Sequence, residues 1–360
     1  QLYGTVALLE EDERRRIKGV VVNKFRGDRA ILEPGLKTLE QLCGIPVAGV
    51  IPYAHVDIDD EDSLTERFGR SKERKLLDIA VIRVPRISNF TDFGPFEHYE
   101  NVSLRYVDQV SDLHQPDMIL LPGTKSTIAD LRWLRQSGLE AAILKAADAG
   151  TLVFGICGGY QMLGRTVSDP EQVEAAGVTE INGLGLLEMD TEFRGEKVQT
   201  QTQGIFHGVE GMLSGLNGLA YEGYEIHMGS TGYSRSNADN RSTADGGSIV
   251  DSECVIDPES RGNEKRYMCR IQNEADGSVK YDGIFSDNVY GTYVHGIFDE
   301  GTLAETLVGI LAARKGVALD TGQMISYGQF KQMQYDKLAD GVRKSMDMEA
   351  VYAMLREAAI

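Results

Sequence analysis

Several things are scarce in this 360-residue chain, and each scarcity removes a class of function. Cysteine occurs four times, at positions 43, 157, 254 and 269, with no CxxC pair. That excludes a disulfide scaffold or a zinc ribbon and fits a reducing, cytoplasmic setting. Positive charge is short: 37 Lys and Arg face 55 Asp and Glu, a formal net charge of −18 with no sustained basic stripe. A partner recognised through a nucleic-acid backbone is therefore not expected, although an amide-lined pocket for a small anionic substrate is compatible with the balance. No apolar run approaches the roughly 20 residues of a membrane span, and the opening QLYGTVALLEEDERRR has no signal-peptide pattern. No GxxxxGK[ST] phosphate loop occurs anywhere in the chain.

What is present reads as α/β. Hydrophobic content of 42% and charged content of 26% are ordinary for a globular protein, and the length suits one large or two ordinary domains. Leu2, Val6 and Leu9 mark one face of a helix that runs into KGVVVNKF, a β-branched run expected to be buried on both faces of a parallel sheet. EPGLKTLEQLC then reads as a helix and GIPVAGVIPY as a second strand. This rhythm begins in mid-phrase at Gln1, so the front of a domain is expected to precede it. RFGRSKERK, near Arg70 to Lys75, marks a boundary. Beyond it the pattern restarts, with strands in LLDIAVIRVP, VSLRYV and PDMILLPG and a single helix over TIADLRWLRQSGLEAAILKAADAG. Short strands are expected from Gly183 to Ile226, then a mobile surface loop near 229–265, whose 229–253 part is rich in Ser, Asn, Asp and Gly. NVYGTYVHGIFDE reads as a strand leading to a turn, and the remainder as helix.

LVFGICGGYQMLG, residues 152–164, carries the strongest chemical signal. A lone cysteine is most often a small buried hydrophobe. Here Gly155 precedes Cys157 by two residues, and Gly158 and Gly159 follow it directly, a pattern suited to a sharp strand-to-helix elbow. The expected layout is a strand over Leu152 to Ile156, the turn at Cys157 and a helix from about Tyr160. Such a turn presents a thiol at a helix start, where a thiolate nucleophile is favoured. Cys43, Cys254 and Cys269 lack that context and read as structural or incidental.

His295, in GTYVHGIF, lies at the end of an apolar strand before Gly296, where open-sheet active sites are found. Paired with a thiolate it can shuttle a proton. The turn in ILLPGTKST, at Pro122 and Gly123, offers backbone N–H groups that can hold an oxyanion.

GICGGYQMLG, the later GTYVHGIF and the earlier ILLPGTKSTIADL, with VPRISNFTDFGPF, GYEIHMG and KGVVVNKFRGD, together resemble the class I glutamine amidotransferase domain of the cobyric acid synthase family. The likeness covers nearly the whole chain apart from the loop at 229–253. It implies a flavodoxin-like amidotransferase domain over 76–360. Residues 1–72 would be the C-terminal part of a dethiobiotin-synthetase-like P-loop domain, with the phosphate loop and most metal-binding acids upstream. It also implies a ligase that uses L-glutamine as amide donor, with ATP and Mg2+, to amidate peripheral carboxylates of adenosylcobyrinic a,c-diamide, giving adenosylcobyric acid in cobalamin biosynthesis.

By that resemblance Cys157 would form the thioester, His295 would be the general acid/base, Gly123 and Gly158 would hold the oxyanion, and Gln161 would help position glutamine. Asn23 would be an adenine contact, although a strand-end asparagine is usually a turn former. Most class I amidotransferases carry a glutamate two residues after the histidine. Ile297 stands there, which leaves a Cys-His dyad with Glu225 and Asp299 as candidates to orient His295. The competing readings are a cobyrinic acid a,c-diamide synthase, a cell-wall lipid amidotransferase glutaminase, a cysteine hydrolase, and a non-catalytic scaffold binding a corrinoid or a partner.

Overall fold

The computed structural model describes residues 1–56, 74–175, 177–234, 267–272, 279–299, 301–318 and 327–358. The chain divides into two compact units, Gln1–Ile58 with Gln329–Ile360, and Asp59–Gly328. The last helices thus group with the first unit, whereas the sequence reading carried one domain from 76 to 360. The boundary read near Arg70 to Lys75 falls largely outside the described residues.

The first unit contains α1 (Leu2–Ala7), α2 (Glu11–Arg14), β1 (Val20–Phe25), α3 (Arg29–Cys43) and β2 (Val47–Pro52), with α10 (Tyr327–Ser345) and α11 (Met348–Ala358) from the far end of the chain. β1 and β2 pair in parallel. α3 starts a turn earlier than the EPGLK reading: Asp28 caps it by accepting the Ala30 N–H at 2.8 Å, and Pro34 lies inside it. Gly49 of β2 forms a bridge with Met346, and Asp347 N–H donates to Ala48 O at 2.8 Å. That joins the C-terminal helices to β2. Val20 is the only fully buried residue of β1, so the strand is not covered on both faces as its composition suggested.

The second unit comprises β3 (Leu77–Ile82), a 3₁₀ turn (Phe90–Phe93), α4 (Gly94–Glu97), β4 (Val102–Val107), α5 (Val110–Leu113), β5 (Met118–Leu121), α6 (Thr127–Ser137), α7 (Leu139–Asp148), β6 (Leu152–Ile156), α8 (Gly158–Leu163) and β7 (Thr166–Ser168). It continues through β8 (Glu180–Asn182), β9 (Met189–Phe206), β10 (Ala220–Tyr233), β11 (Tyr267–Gln272), β12 (Val279–Ser286), β13 (Val289–Thr292), β14 (Val294–His295) and α9 (Leu303–Lys315). Among the described residues these strands form one mixed sheet in the order β14-β10-β9-β11-β12-β13-β6-β5-β3-β4, with β7 also paired to β9 and β8 paired to β7. Five neighbours, β13, β6, β5, β3 and β4, run parallel; β12, β11, β9, β10 and β14 extend them antiparallel.

Every residue of β3, β5 and β6 is buried, as continuous apolar runs covered on both faces require. Within this core Asp78 is matched by Arg105, whose Nε and Nη2 donate to its two carboxylate oxygens at 2.7 and 2.8 Å. A buried charge is tolerable in that paired form.

Two sequence expectations change here. The single helix expected after Lys125 is broken at Gly138, which takes φ 79° and separates α6 from α7. The short strands expected from Gly183 to Ile226 are instead one long hairpin, β9 with β10, and β10 runs on to Tyr233. The start of the expected loop at 229 is therefore strand: alternation buries Thr231, whose Oγ1 lies 2.7 Å from that of Thr191. Residues 235–266 of that loop lie outside the described residues.

Candidate active site

Cys157 ends β6 and precedes α8, with φ 50° and ψ −108°, a backbone region that L-residues seldom occupy and that marks a constrained turn. Its glycines are required by close approach. A Cβ on Gly159 would sit 2.1 Å from the Leu121 carbonyl oxygen, and one on Gly155 would sit 2.7 Å from that of Gly159. Helix and strands therefore meet backbone to backbone. The helix begins at Gly158, two residues earlier than expected. Cys157 N–H donates to Thr292 O at 2.9 Å, Gln161 N–H donates to Cys157 O at 2.9 Å, and the Cys157 Sγ lies 3.6 Å from Ile226 O.

His295 closes β14, opposite Tyr224 of β10 in the antiparallel ladder. The Tyr224 ring stacks on the imidazole, with centroids 5.3 Å apart and planes at 21°. Nδ1 of His295 is 2.7 Å from Asp92 Oδ2, and Gly296 N–H donates to Asp92 Oδ1 at 2.9 Å. With Nδ1 committed to Asp92, Nε2 is the nitrogen left for Cys157. Burial alone would push the imidazole pKa down. The charge and hydrogen bond of Asp92 outweigh it, and with those of Cys157 they raise His295 to about 10.

Gly123 lies against His295, and Gly158 lies against the loop that follows Gly123. A Cβ on Gly123 would be 2.8 Å from His295 Cε1, and one on Gly158 would be 2.6 Å from Thr124 Cγ2. The loop that carries Gly123 is held by Asp130, which accepts from Arg86 N–H at 3.2 Å, Arg86 Nη1 at 3.1 Å and Thr124 Oγ1 at 2.5 Å. Glu174 accepts from the Thr127 and Ile128 N–H groups at the start of α6. Burial pushes both carboxyls upward.

The Gln161 side chain is hydrogen-bonded within the fold. Its Oε1 accepts from Thr127 Oγ1 at 2.9 Å, and its Nε2 donates to Met228 O at 3.0 Å and Tyr293 OH at 3.2 Å. Both amide hydrogens are spent tying α8 to β10 and the β13–β14 link, so Gln161 builds the elbow's surroundings. Of the two candidates for orienting His295, Glu225 is turned to another partner. Glu225 binds Lys280 Nζ at 3.0 and 2.8 Å, and Asp299 lies on the following turn, where its N–H donates to Gly296 O at 2.9 Å. Asp92 was missed in the sequence, although it stands in RISNFTDFGPF. His227, two residues beyond Glu225, was also passed over. Its ring stacks on Tyr293 at 3.7 Å, and burial lowers its pKa to about 4, so it stays neutral.

Asn23 belongs to the first unit, where its Oδ1 accepts the Lys24 N–H at 2.8 Å, the turn-forming role. Among the described residues no group of three or more His, Cys, Asp or Glu could hold a metal ion. Among the described residues no helix is long and apolar enough to cross a membrane.

A buried cysteine at a strained turn and a buried histidine held by Asp92, with Gly123 packed against the imidazole, form a constellation suited to acyl transfer. Known proteins agree with that chemistry. The chain is 50% identical over 99% of its length to a cobyric acid synthase of Lachnoclostridium phytofermentans, covering 66% of that protein. It is 45% identical over 99% of its length to one of Ruminiclostridium cellulolyticum, covering 64%, and 42% identical over 98% to one of Alkaliphilus metalliredigens, covering 66%. The chain thus spans just under two thirds of the length of these curated relatives. Residues 78–303 match the CobB/CobQ-like glutamine amidotransferase domain, and with the elbow, the histidine and the loop all inside that span, the chain belongs to this family.

Proposed function

We propose that this chain hydrolyses the side-chain amide of L-glutamine and that the ammonia serves amidation of peripheral carboxylates of adenosylcobyrinic a,c-diamide, giving adenosylcobyric acid. The observation that carries the first half is the strained Cys157 elbow together with the buried His295, whose Nδ1 is taken by Asp92. The second half is supported by the name shared by the relatives; ATP and Mg2+ would be used by the whole protein. Unpaired cysteines at 43, 157 and 269 suit a cytoplasmic enzyme.

In this reading the Cys157 sulfur attacks the glutamine Cδ. The carbonyl oxygen takes the developing charge against the Gly123 and Gly158 N–H groups. His295 passes its proton from Nε2 to the leaving nitrogen, releasing ammonia and leaving a thioester. Water then attacks the thioester, His295 takes its proton, and glutamate departs as the sulfur leaves as a thiolate opposite the reprotonated imidazole.

A diazo-ketone norleucine, an electrophilic glutamine analogue, tests the first half. Peptide mass spectrometry is expected to find Cys157 as the modified residue, with L-glutamine protecting it. Labelling spread over other cysteines, or unaffected by glutamine, overturns the glutaminase reading. Transfer of amide nitrogen from glutamine to the corrinoid by the full-length protein tests the second. Hydrolysis without transfer overturns the substrate alone.

A further inference from the structure

We propose that Asp92 is the positioning residue of the hydrolytic site: delivered by the 3₁₀ turn after β3, it holds the His295 imidazole with Nδ1–H toward itself and Nε2 toward Cys157. The inference rests on the reading of Cys157 and His295 as nucleophile and acid–base partner.

Four observations carry it. Both oxygens of Asp92 are engaged on consecutive residues, Oδ2 with His295 Nδ1 at 2.7 Å and Oδ1 with Gly296 N–H at 2.9 Å. The clamp therefore fixes the ring's tilt as well as its tautomer. Both side chains are almost fully buried, at 1% and 2% exposure, so a carboxylate here requires that partner. The turn that delivers it is itself anchored. Phe90 and Phe93 are buried on either side, Asp92 N–H donates to Asn89 O at 3.0 Å, and Asn89 Nδ2 donates to the hydroxyl of Tyr224, whose ring covers one face of the imidazole. Finally, the position two residues beyond His295 is occupied by Ile297, which is fully buried in the core. The chain downstream of the histidine spends that position on packing, and the carboxylate arrives from a separate element 203 residues earlier.

The other titratable groups around the ring are Tyr224, His227, Cys157 and Asp299. Tyr224 is pushed up to about 12 by burial and by Asp92, and stays neutral. His227 is neutral, Cys157 lies on the Nε2 side, and Asp299 sits on the turn beyond, 3.7 Å from where a Gly296 Cβ would stand.

The test compares wild type with Asp92→Asn and Asp92→Glu. Asp92→Asn keeps the shape but offers an amide, and glutamine turnover is expected to fall by roughly 10²- to 10⁴-fold in kcat. KM for glutamine is expected to stay within about threefold. Because Asp92 holds the proton on His295, the alkaline limb of the pH profile is expected to move to lower pH in Asp92→Asn, and Asp92→Glu to recover part of both effects. A kcat within threefold of wild type overturns the proposal, as does a loss equal at every pH and not recovered by the glutamate. Should Asp92→Asn not fold, nitrogen-15 NMR of wild type decides. His295 must remain protonated well above the ordinary histidine value of about 6.5, and titration near that value overturns the assignment. The NMR titration does not depend on turnover, whereas Cys157 labelling by the glutamine analogue tests the underlying reading, so the two failures are distinguishable.

Discussion

The two halves of the active site are built in opposite ways. The Cys157 half is local: strand, turn and helix lie within thirteen residues, and the bend is dictated by glycines whose missing side chains would strike backbone. The His295 half is assembled from afar, with Asp92, Tyr224 and Gly123 converging from three separate stretches on one imidazole. A local device is specified by steric exclusion, where one wrong atom is fatal. A long-range device is specified by electrostatics and stacking, where errors are graded.

The comparison can be broken most sharply at the nucleophile. Cys157→Ser is expected to lower glutamine hydrolysis by at least about 10⁴-fold while leaving the thermal transition near that of wild type, checked by ammonia release and calorimetry. Next is Gly159→Ala, whose new Cβ falls 2.1 Å from a backbone oxygen that cannot swing away. Urea unfolding is expected to show a loss of about 2–4 kcal/mol, with Cys157 labelling lost alongside. Retained labelling would mean that the elbow tolerates more than its geometry implies.

On the long-range side, pH sharpens the contrast. The folded protein holds a proton on His295 up to about 10, while the unfolded chain releases it near about 6.5. Between those values the native state binds more protons, so stability must fall as pH rises. The stability difference between wild type and Asp92→Asn is thus expected to be largest below about 6.5 and to shrink toward 10, measured by urea titrations at several pH values. The smallest effect belongs to Tyr224→Phe. It keeps the ring over His295 and removes only the hydroxyl bonded to Asn89, so a loss of about 0.5–1.5 kcal/mol and a change in kcat of a few-fold are expected.

This division also explains what could be read in advance. The elbow, the parallel strands β3, β5 and β6 and the histidine at a strand end were legible because glycine spacing and apolar runs are local signals. Asp92 was not, since nothing in FTDF announces a partner 203 residues away. Glu225 and Asp299 stood closer to His295 in sequence, but β-strand alternation turns Glu225 toward Lys280. The β9–β10 hairpin was misjudged because its many polar residues break up the apolar alternation that marks a strand. The break between α6 and α7 hangs on one residue, Gly138, at positive φ.

One residue, Tyr293, separates β13 from β14, and there the chain passes from one ladder to another. Thr292 is in parallel register with Ile156, beside the nucleophile, while His295 is in antiparallel register with Tyr224. The spacing of nucleophile and base is therefore counted in whole residues, as teeth on two meshed gears, and cannot be tuned continuously. Deleting one residue of this link would turn His295 to the opposite face of the sheet. Evolutionary change at this junction is confined to swapping side chains, because its length admits no small steps.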